Sequence, residues 1–179
     1  KGTGISALSN SILSNSAEIN ITAEGTGIKA SNSGINNESS GEIAVAKGIN
    51  IDLSESVLEN SALLSNSDGI GIKSDNSSVK NNGDIEIING TAIEALNNSS
   101  ILNTAYLKSG NTGINTTHST VLNEGKIDAA ETGIYAADNI KTINTGEVNG
   151  KTGVEIISGT EEYSGHFLNT GEINGLDYA

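Results

Sequence analysis

The chain has 179 residues and a formal net charge of −13, and all nine of its basic residues are lysine. An acidic surface of this kind repels a phosphate backbone, so the composition excludes the usual modes of nucleic-acid binding. Cysteine and proline are both absent, which excludes disulfide and thiol chemistry and leaves strand ladders uninterrupted. No apolar run approaches the length that crosses a bilayer, so we expect no direct membrane insertion by this segment.

Two short signatures recur through the whole sequence. The first reads Thr-Gly-Ile-x-Ala, and the second reads Leu-Asn-x-Gly-x-Ile. They interleave without exception, and the first recurs at steps of 20 to 23 residues. A fixed period of this size indicates a solenoid, in which each unit packs on the next. The first signature places branched residues at Ile5, Ile28, Ile49, Ile70, Ile93, Ile114, Ile134 and Val154, and the second ends at Ile19, Ile43, Leu64, Ile85, Leu107, Ile127, Val148 and Ile173.

Apolar residues alternate with small or polar ones within each unit, as in Ile70-Gly71-Ile72. This period of two is typical of strands. We therefore predict an all-β, single-stranded parallel β-helix (β-solenoid) of about eight coils of roughly 21 residues, with three short strands per coil. At roughly 4.8 Å per coil, the rod would be about 38 Å long. A third apolar strand position in the unit is predicted at Ile12, Val57, Val79, Ile101, Val121 and Phe167.

An asparagine recurs where the chain must turn, just before the glycine of the second signature. Asparagine tolerates the left-handed backbone region, and stacked amides can bond to one another along the rod. We predict a structural asparagine ladder, and a plain polar turn is the alternative. The predicted ladder consists of Asn15, Asn60, Asn81, Asn103, Asn123, Asn144 and Asn169.

The sequence shows no linker and no shift of composition, so residues 1–179 are predicted to form one continuous β-helix segment. Because Lys1 lies inside a repeat and Ala179 follows soon after one, we expect this segment to be a fragment of a longer array. Terminal repeats of a solenoid usually differ from the others and carry caps, and neither end of this sequence does.

Candidate catalytic residues are scattered along the predicted rod. His118 lies in a polar turn about two coils from His166, and no nucleophile elbow or zinc-protease motif is present. The acids Glu42, Asp84 and Glu147 share the outward position of the second signature with Glu172, and Glu147 is predicted to stack on Glu172. A carboxylate pair could hydrolyse a glycan, whereas a solvated acidic face is the alternative that we favour. We predict no metal site and no cofactor.

One unit contains more residues than the others. From Ile134 to Asn144 there are 10 positions, but from Val154 to Asn169 there are 15. A solenoid must keep its strands in register, so the roughly five extra residues are predicted to leave the coil as an outer loop between residues 158 and 166. Loops on a rigid scaffold often bind partners, while an insertion without a role is the alternative. The predicted binding residues, whose partner would be a host ligand or neighbouring coils of the same protein, are Glu161, Glu162, Tyr163 and His166.

The strings Leu-Asn-Thr-Gly-Glu-Ile-Asn-Gly at 168–175 and Ile-Asn-Thr-Gly-Glu-Val-Asn-Gly at 143–150 resemble the passenger-domain repeats of type V secreted autotransporter adhesins. These are outer-membrane proteins of Gram-negative bacteria. The resemblance covers nearly the whole chain and implies a right-handed stalk, exposed at the bacterial surface and anchored in the outer membrane through parts outside this sequence. It also implies a role in cell adhesion or virulence, with a protein or glycan of a host cell or bacterial surface as partner.

Two functions follow as hypotheses. The chain is a structural or adhesive stalk segment without enzyme activity, or it is a β-helix hydrolase or lyase that acts on polysaccharide. The family's polysaccharide-lyase relatives commonly use an arginine or lysine base, and arginine is absent here. The few aromatic residues are scattered rather than gathered along one groove, which favours the stalk.

Overall fold

The computed structural model describes residues 1–158 and 165–175, and every regular element among them is a β-strand. The twenty strands are β1 (Gly2–Leu8), β2 (Ile12–Asn15), β3 (Ile19–Ser31), β4 (Gly34–Asn37), β5 (Ile43–Ser54), β6 (Val57–Asn60), β7 (Leu64–Asp75), β8 (Ser78–Asn81), β9 (Ile85–Leu96), β10 (Ser100–Asn103), β11 (Tyr106–Ser109), β12 (Thr112–Thr117), β13 (Thr120–Asn123), β14 (Lys126–Ala129), β15 (Thr132–Ala137), β16 (Lys141–Asn144), β17 (Glu147–Gly150), β18 (Thr152–Ile157), β19 (His166–Asn169) and β20 (Glu172–Gly175).

All strand pairs are parallel, and they connect each unit of the sequence to the next one. An eight-stranded sheet runs in the order β19-β16-β13-β10-β8-β6-β4-β2, and a twelve-stranded sheet contains the remaining strands. The predicted all-β parallel solenoid of about eight coils, about 21 residues apart, is therefore confirmed.

Each coil contributes one strand segment to each of three faces. Face A is the outer surface of the eight-stranded sheet. Face B is the outer surface of β11, β14, β17, β20 and the first halves of β3, β5, β7 and β9. Face C is the outer surface of β1, β12, β15, β18 and the second halves of those four long strands. Coils are numbered 1 to 8 along the chain, so that coil 1 contains β1 and β2, and coil 8 contains β18, β19 and β20.

The core is a stack of aliphatic columns inside these faces. The column predicted from the second signature is present without a gap, because Ile43 pairs with Ile19 and Leu64, and each later member pairs with its predicted neighbour. Its six middle members, from Ile43 to Val148, are completely buried. Burying each such side chain stabilises the fold by roughly 1.5–3 kcal/mol, so the columns supply the main driving force for stacking.

The column predicted from the first signature is wrong in two coils. Ile51 and Ile72 occupy the buried position between Ile28 and Ile93, whereas Ile49 pairs with Thr26 and is only half-buried. Ile70 is displaced in the same way, because it pairs with Thr91. The glycine before each of these residues pairs with the glycine of the next coil, so the true unit is Gly-x-x-Ile. The corrected column consists of Ile5, Ile28, Ile51, Ile72, Ile93, Ile114, Ile134 and Val154.

The prediction for the third apolar position of the unit is also wrong in two coils. Ile12 is 91% exposed and Val57 is 60% exposed, since both lie on face A beside Gly34. The inward side chains of their strands are Leu13 and Leu58. Side chains alternate along a strand, so the residue two positions before an inward asparagine must also point inward. The corrected column consists of Leu13, Ile35, Leu58, Val79, Ile101, Val121, Thr142 and Phe167.

The corner between faces B and C decides whether a coil has three separate strands. Strands β3, β5, β7 and β9 run through this corner without a break, whereas later coils divide there, as predicted, into β11 and β12, β14 and β15, and β17 and β18. The inward residues on the two sides of the corner are eight positions apart in Ile43 and Ile51, but six apart in Val148 and Val154. The longer connection continues as extended chain through Gly69, whose φ of 150° favours glycine.

Candidate functional site

The predicted binding loop follows β18 on face C and precedes β19 on face A in the sequence. Glu161, Glu162 and Tyr163 lie outside the described residues, and His166 is the exposed first residue of β19, where it pairs with Lys141. Strand β18, which precedes the insertion, keeps its register with β15, and β19, which follows it, keeps its register with β16. The strands on both sides of the insertion therefore stay in line with the coil beneath, and binding by the loop remains a prediction.

The predicted asparagine column lies at the corner between faces A and B, where it is buried from Asn15 to Asn144 and exposed at Asn169. The structure places all seven predicted asparagines in it and adds Asn37, which pairs with Asn15 and Asn60. The Nδ2 of each asparagine donates to the Oδ1 of the next one at 2.7–2.9 Å, along all eight coils. Sequence reasoning missed Asn37 because its glycine, Gly41, comes two residues late. The two extra residues form a turn in which the Gly41 N–H donates to the Glu38 carbonyl.

Both N–H groups of a typical ladder amide are used. Asn123 donates one to Asn144 and the other to the carbonyl of Gly125, while its oxygen accepts from Asn103. Such an amide has no N–H group left to donate to a ligand, and its burial keeps ligands away from its oxygen. The ladder therefore holds the coils together rather than forming a binding site.

The outward acids of the second signature do not form one cluster. Glu147 and Glu172 are neighbours on face B, as predicted. Glu42 and Asp84 lie at the equivalent position two coils apart, and the coil between them has Leu63 there. The ammonium of Lys126 lies 3.1 Å from the Glu147 carboxylate. These carboxylates are therefore spread along the rod.

A polar network that sequence reasoning missed joins coils 5 to 7 on face B. The Tyr106 hydroxyl donates to Asp128 at 2.8 Å, and the Asn149 amide donates to Asp128 at 2.6 Å and to Glu147 at 2.7 Å. The sequence signal for this network is an outward column that contains Lys108, Asp128 and Asn149. The column can be recognised only when the register between neighbouring coils is known.

The pKa shifts in this network stabilise neutral Tyr106, ionised Asp128 and protonated Lys126. Burial and the hydrogen bond to Asp128 raise the pKa of Tyr106 to about 12. Burial opposes ionisation of Asp128, but hydrogen bonds from Asn149 and Tyr106 outweigh it and lower the pKa of this carboxyl. The hydrogen bond to Glu147 raises the pKa of Lys126. A general acid or base works best with a pKa near the operating pH, so these shifts favour an electrostatic link between coils over proton transfer.

A shallow groove of about 530 Å³ crosses face B in coils 1 to 4. Its floor consists of small side chains of β5 and β7, and Glu86 is its one carboxylate among the described residues. The floor and walls are formed by Asn20, Ile21, Thr22, Ala44, Val45, Ala46, Ser65, Asn66, Ser67, Glu86 and Ile88.

The histidines and acids form no further site among the described residues. His118 occupies a corner with a φ of 51°, in the same position as Asn32, Asn76 and Asp138 in other coils. It is therefore a turn residue, as predicted. Within residues 1–158 and 165–175, no group of three or more His, Cys, Asp or Glu residues is arranged to hold a metal ion. No helix in the same residues is long and apolar enough to cross a membrane.

Comparison with known proteins gives no further assignment. No protein-family model matches the chain, and neither a curated protein nor a solved structure matches it.

Proposed function

We propose that this chain is a stalk segment of a surface-exposed bacterial autotransporter passenger, which displays a binding loop for a host or bacterial partner. The proposal rests on the register around the insertion in coil 8. Asn144 pairs with Asn169 and Ile134 pairs with Val154, so the coil is the same on both sides of the extra residues. A scaffold that keeps its register around an insertion is suited to present that insertion to solvent.

The continuous ladder supports the stalk role. Each of the eight coils is bonded to its neighbours by strand pairing and by the buried asparagine amides. A solenoid bonded in this way is rigid along its length, because no inner coil can shift without breaking bonds to two others. Seven steps of roughly 4.8 Å separate the first and last coils by about 34 Å.

The alternative, a polysaccharide hydrolase or lyase, has weaker support. Glycoside hydrolysis by paired carboxylates needs two such groups roughly 5–10 Å apart across the substrate. The groove on face B is lined by one carboxylate, Glu86, among the described residues. The acids of the neighbouring network are already bound to Lys126, Tyr106 and Asn149.

A deletion tests the proposal directly. The full chain and a variant without residues 160–164 are coupled to fluorescent beads and applied to epithelial monolayers and to bacterial cells. We expect the full chain to adhere and the variant to lose adherence while its circular dichroism spectrum stays unchanged. The matched control replaces Ser39 and Ser40, which lie in the extra turn of coil 2, with alanine.

Adherence of the deletion variant at the level of the full chain would contradict the loop's role, and so would equal loss in the coil 2 control. Polysaccharide cleavage, measured as release of reducing ends and abolished by Glu86→Gln, would support the enzymatic alternative instead.

A further inference from the structure

The leucine of the repeat signature points outward in the second half of the rod. Asn103 and Asn123 are fully buried, so the residue before each of them lies on the outer side of its strand. These residues and their equivalents pair in order through coils 5 to 8 and form a continuous aliphatic stripe on face A. Three members are partly exposed and the last is 52% exposed. The aliphatic stripe consists of Leu102, Leu122, Ile143 and Leu168.

The same column is polar in coils 1 to 4. It contains Ser14, Asn36, Glu59 and Lys80, and the last two form an ion pair at 2.8 Å. The fold therefore does not require aliphatic residues in this column, and the stripe is confined to four successive coils. Its length is about 14 Å, since it crosses three intervals of roughly 4.8 Å.

We propose that the aliphatic stripe pairs with the stripe of a second copy of this chain, with the two rods antiparallel. The inference concerns face A and does not rest on the proposed function of the loop. The pairing has a two-fold axis between β13 and β16. It sets Leu102 of one copy opposite Leu168 of the other and Leu122 opposite Ile143, so that each stripe is covered by four aliphatic side chains.

The spacing of the stripe favours a second copy as the occupant. A second rod repeats at the same interval of roughly 4.8 Å, so each of the four side chains in one stripe lies opposite one side chain of the other stripe. A helix lying along the stripe rises about 5.4 Å per turn and drifts out of phase by about 0.6 Å at each step.

Charge also favours face A over the other faces. The chain carries −13, so the repulsion between two copies is weakest where they meet on a face without acids. Among the outward strand residues of face A in coils 5 to 8, the one formal charge is that of Lys141, which is positive. The antiparallel arrangement sets Lys141 opposite Thr120 of the other copy, with no like charge facing it. Face C in the same coils presents the acids Glu94 and Glu155.

The polar half of face A decides the orientation. Parallel rods would lie side by side over their whole length and set Glu59 and Lys80 of one copy against those of the other. An antiparallel overlap of coils 5 to 8 leaves both polar halves outside the contact. The overlap measures roughly 19 Å by 14 Å, or about 270 Å² per copy, which is well below the roughly 800 Å² of a standard interface. The pairing is therefore weak and concentration-dependent.

Sedimentation of the full chain over a concentration series up to roughly 1 mM tests the pairing. We expect a monomer–dimer equilibrium, whose dissociation constant rises about tenfold or more in Leu122→Glu and in Leu168→Glu. The second variant alters a side chain that is already 52% exposed, so the fold is retained even if the first variant unfolds. The matched control is Ile88→Glu on face B, where the side chain is 68% exposed, and it should leave the equilibrium unchanged.

The orientation is measured with a spin label. The chain has no cysteine, so Ser6→Cys places a single label on an exposed residue of coil 1. In the antiparallel pair the two labels lie about eleven coil intervals, or roughly 50 Å, apart. A monomer at every concentration, equal weakening by Ile88→Glu, association that persists in both stripe variants, or labels closer than about 30 Å would each overturn the proposal.

Discussion

Replacing Asn123 by aspartate tests the energetic role of the asparagine ladder. Asn123 is fully buried, donates to Asn144 at 2.9 Å and to the Gly125 carbonyl at 3.1 Å, and accepts from Asn103 at 2.9 Å. An ionised aspartate keeps the bond from Asn103 but faces the other two acceptors with no hydrogen to donate. A buried unsatisfied acceptor costs about 1–3 kcal/mol, so the two together cost about 2–6 kcal/mol.

Protonation of the new carboxyl limits this loss at low pH. A neutral aspartic acid donates one hydrogen bond and leaves one acceptor unmet, at about 1–3 kcal/mol. Keeping it neutral at pH 7, about three units above its ordinary pKa of about 3.9, costs about 4 kcal/mol more. Near pH 4 that second cost vanishes. The folded-state pKa is thus raised, so the variant is most stable below about pH 4 and loses about 1.4 kcal/mol per pH unit above it while the buried carboxyl remains neutral.

Denaturant unfolding followed by circular dichroism at pH 4 and pH 7 measures the effect. The control is Asn36→Asp, which makes the same change one residue from the ladder but on the exposed side of β4. We expect Asn123→Asp to lose about 2–6 kcal/mol at pH 7, the cost of the ionised form, and the control to lose less than about 0.5 kcal/mol. A loss below about 1 kcal/mol at pH 7, or a loss independent of pH, would refute the reasoning and reduce the ladder to a plain polar turn.

Three further outcomes are expected. Gly69→Ala should destabilise the chain by about 3 kcal/mol or more, because its φ is 150° and its Cβ would clash with the Gly48 carbonyl oxygen; Gly34→Ala, whose Cβ would meet nothing within 4 Å, should have almost no effect on the unfolding midpoint. Tyrosine absorbance should show a group titrating near pH 12 that Tyr106→Phe removes, and its stabilisation, present below about pH 10, should disappear as the pH rises towards 12. Deleting residues 160–164 should leave the melting temperature within about 2 °C of the full chain, and a large decrease would show that the insertion supports the core.

The period and the strand class could be predicted from the sequence because they depend on columns that agree with each other over many units. The register within a unit is harder to predict, as Ile49 and Ile70 show. Each precedes a second isoleucine two residues later, and a search for Gly-Ile selects the first one. Pairing of Gly48 with Gly25 and Gly69 selects the second one, which is a relation between coils rather than within a string.

The network around Asp128 could not be predicted for a related reason. Tyr106, Asp128 and Asn149 are about twenty residues apart along the sequence. Tyr106 is the first residue of its string, Tyr-Leu-Lys, whereas Asp128 and Asn149 are the third residues of Lys-Ile-Asp and Glu-Val-Asn. Only the pairing of β11 with β14 and of β14 with β17 brings them together. In a solenoid a shift of one residue changes every outward neighbour, so side-chain networks on the surface depend on a register that periodicity fixes only approximately.

In the second signature the polar asparagine points inward and the aliphatic leucine points outward. This arrangement follows from the hydrogen bonds that each side chain can make. A column of identical amides satisfies itself, because each one donates to the copy one coil ahead and accepts from the copy one coil behind. This makes asparagine a stable interior residue wherever it repeats at every coil, and costly wherever the column is broken. Strand alternation then places the preceding residue outside, whatever its chemistry. An aliphatic residue at that position, as in Leu102 and Leu122, lies outside the core, and its repetition over four coils supports the proposed pairing with a second copy.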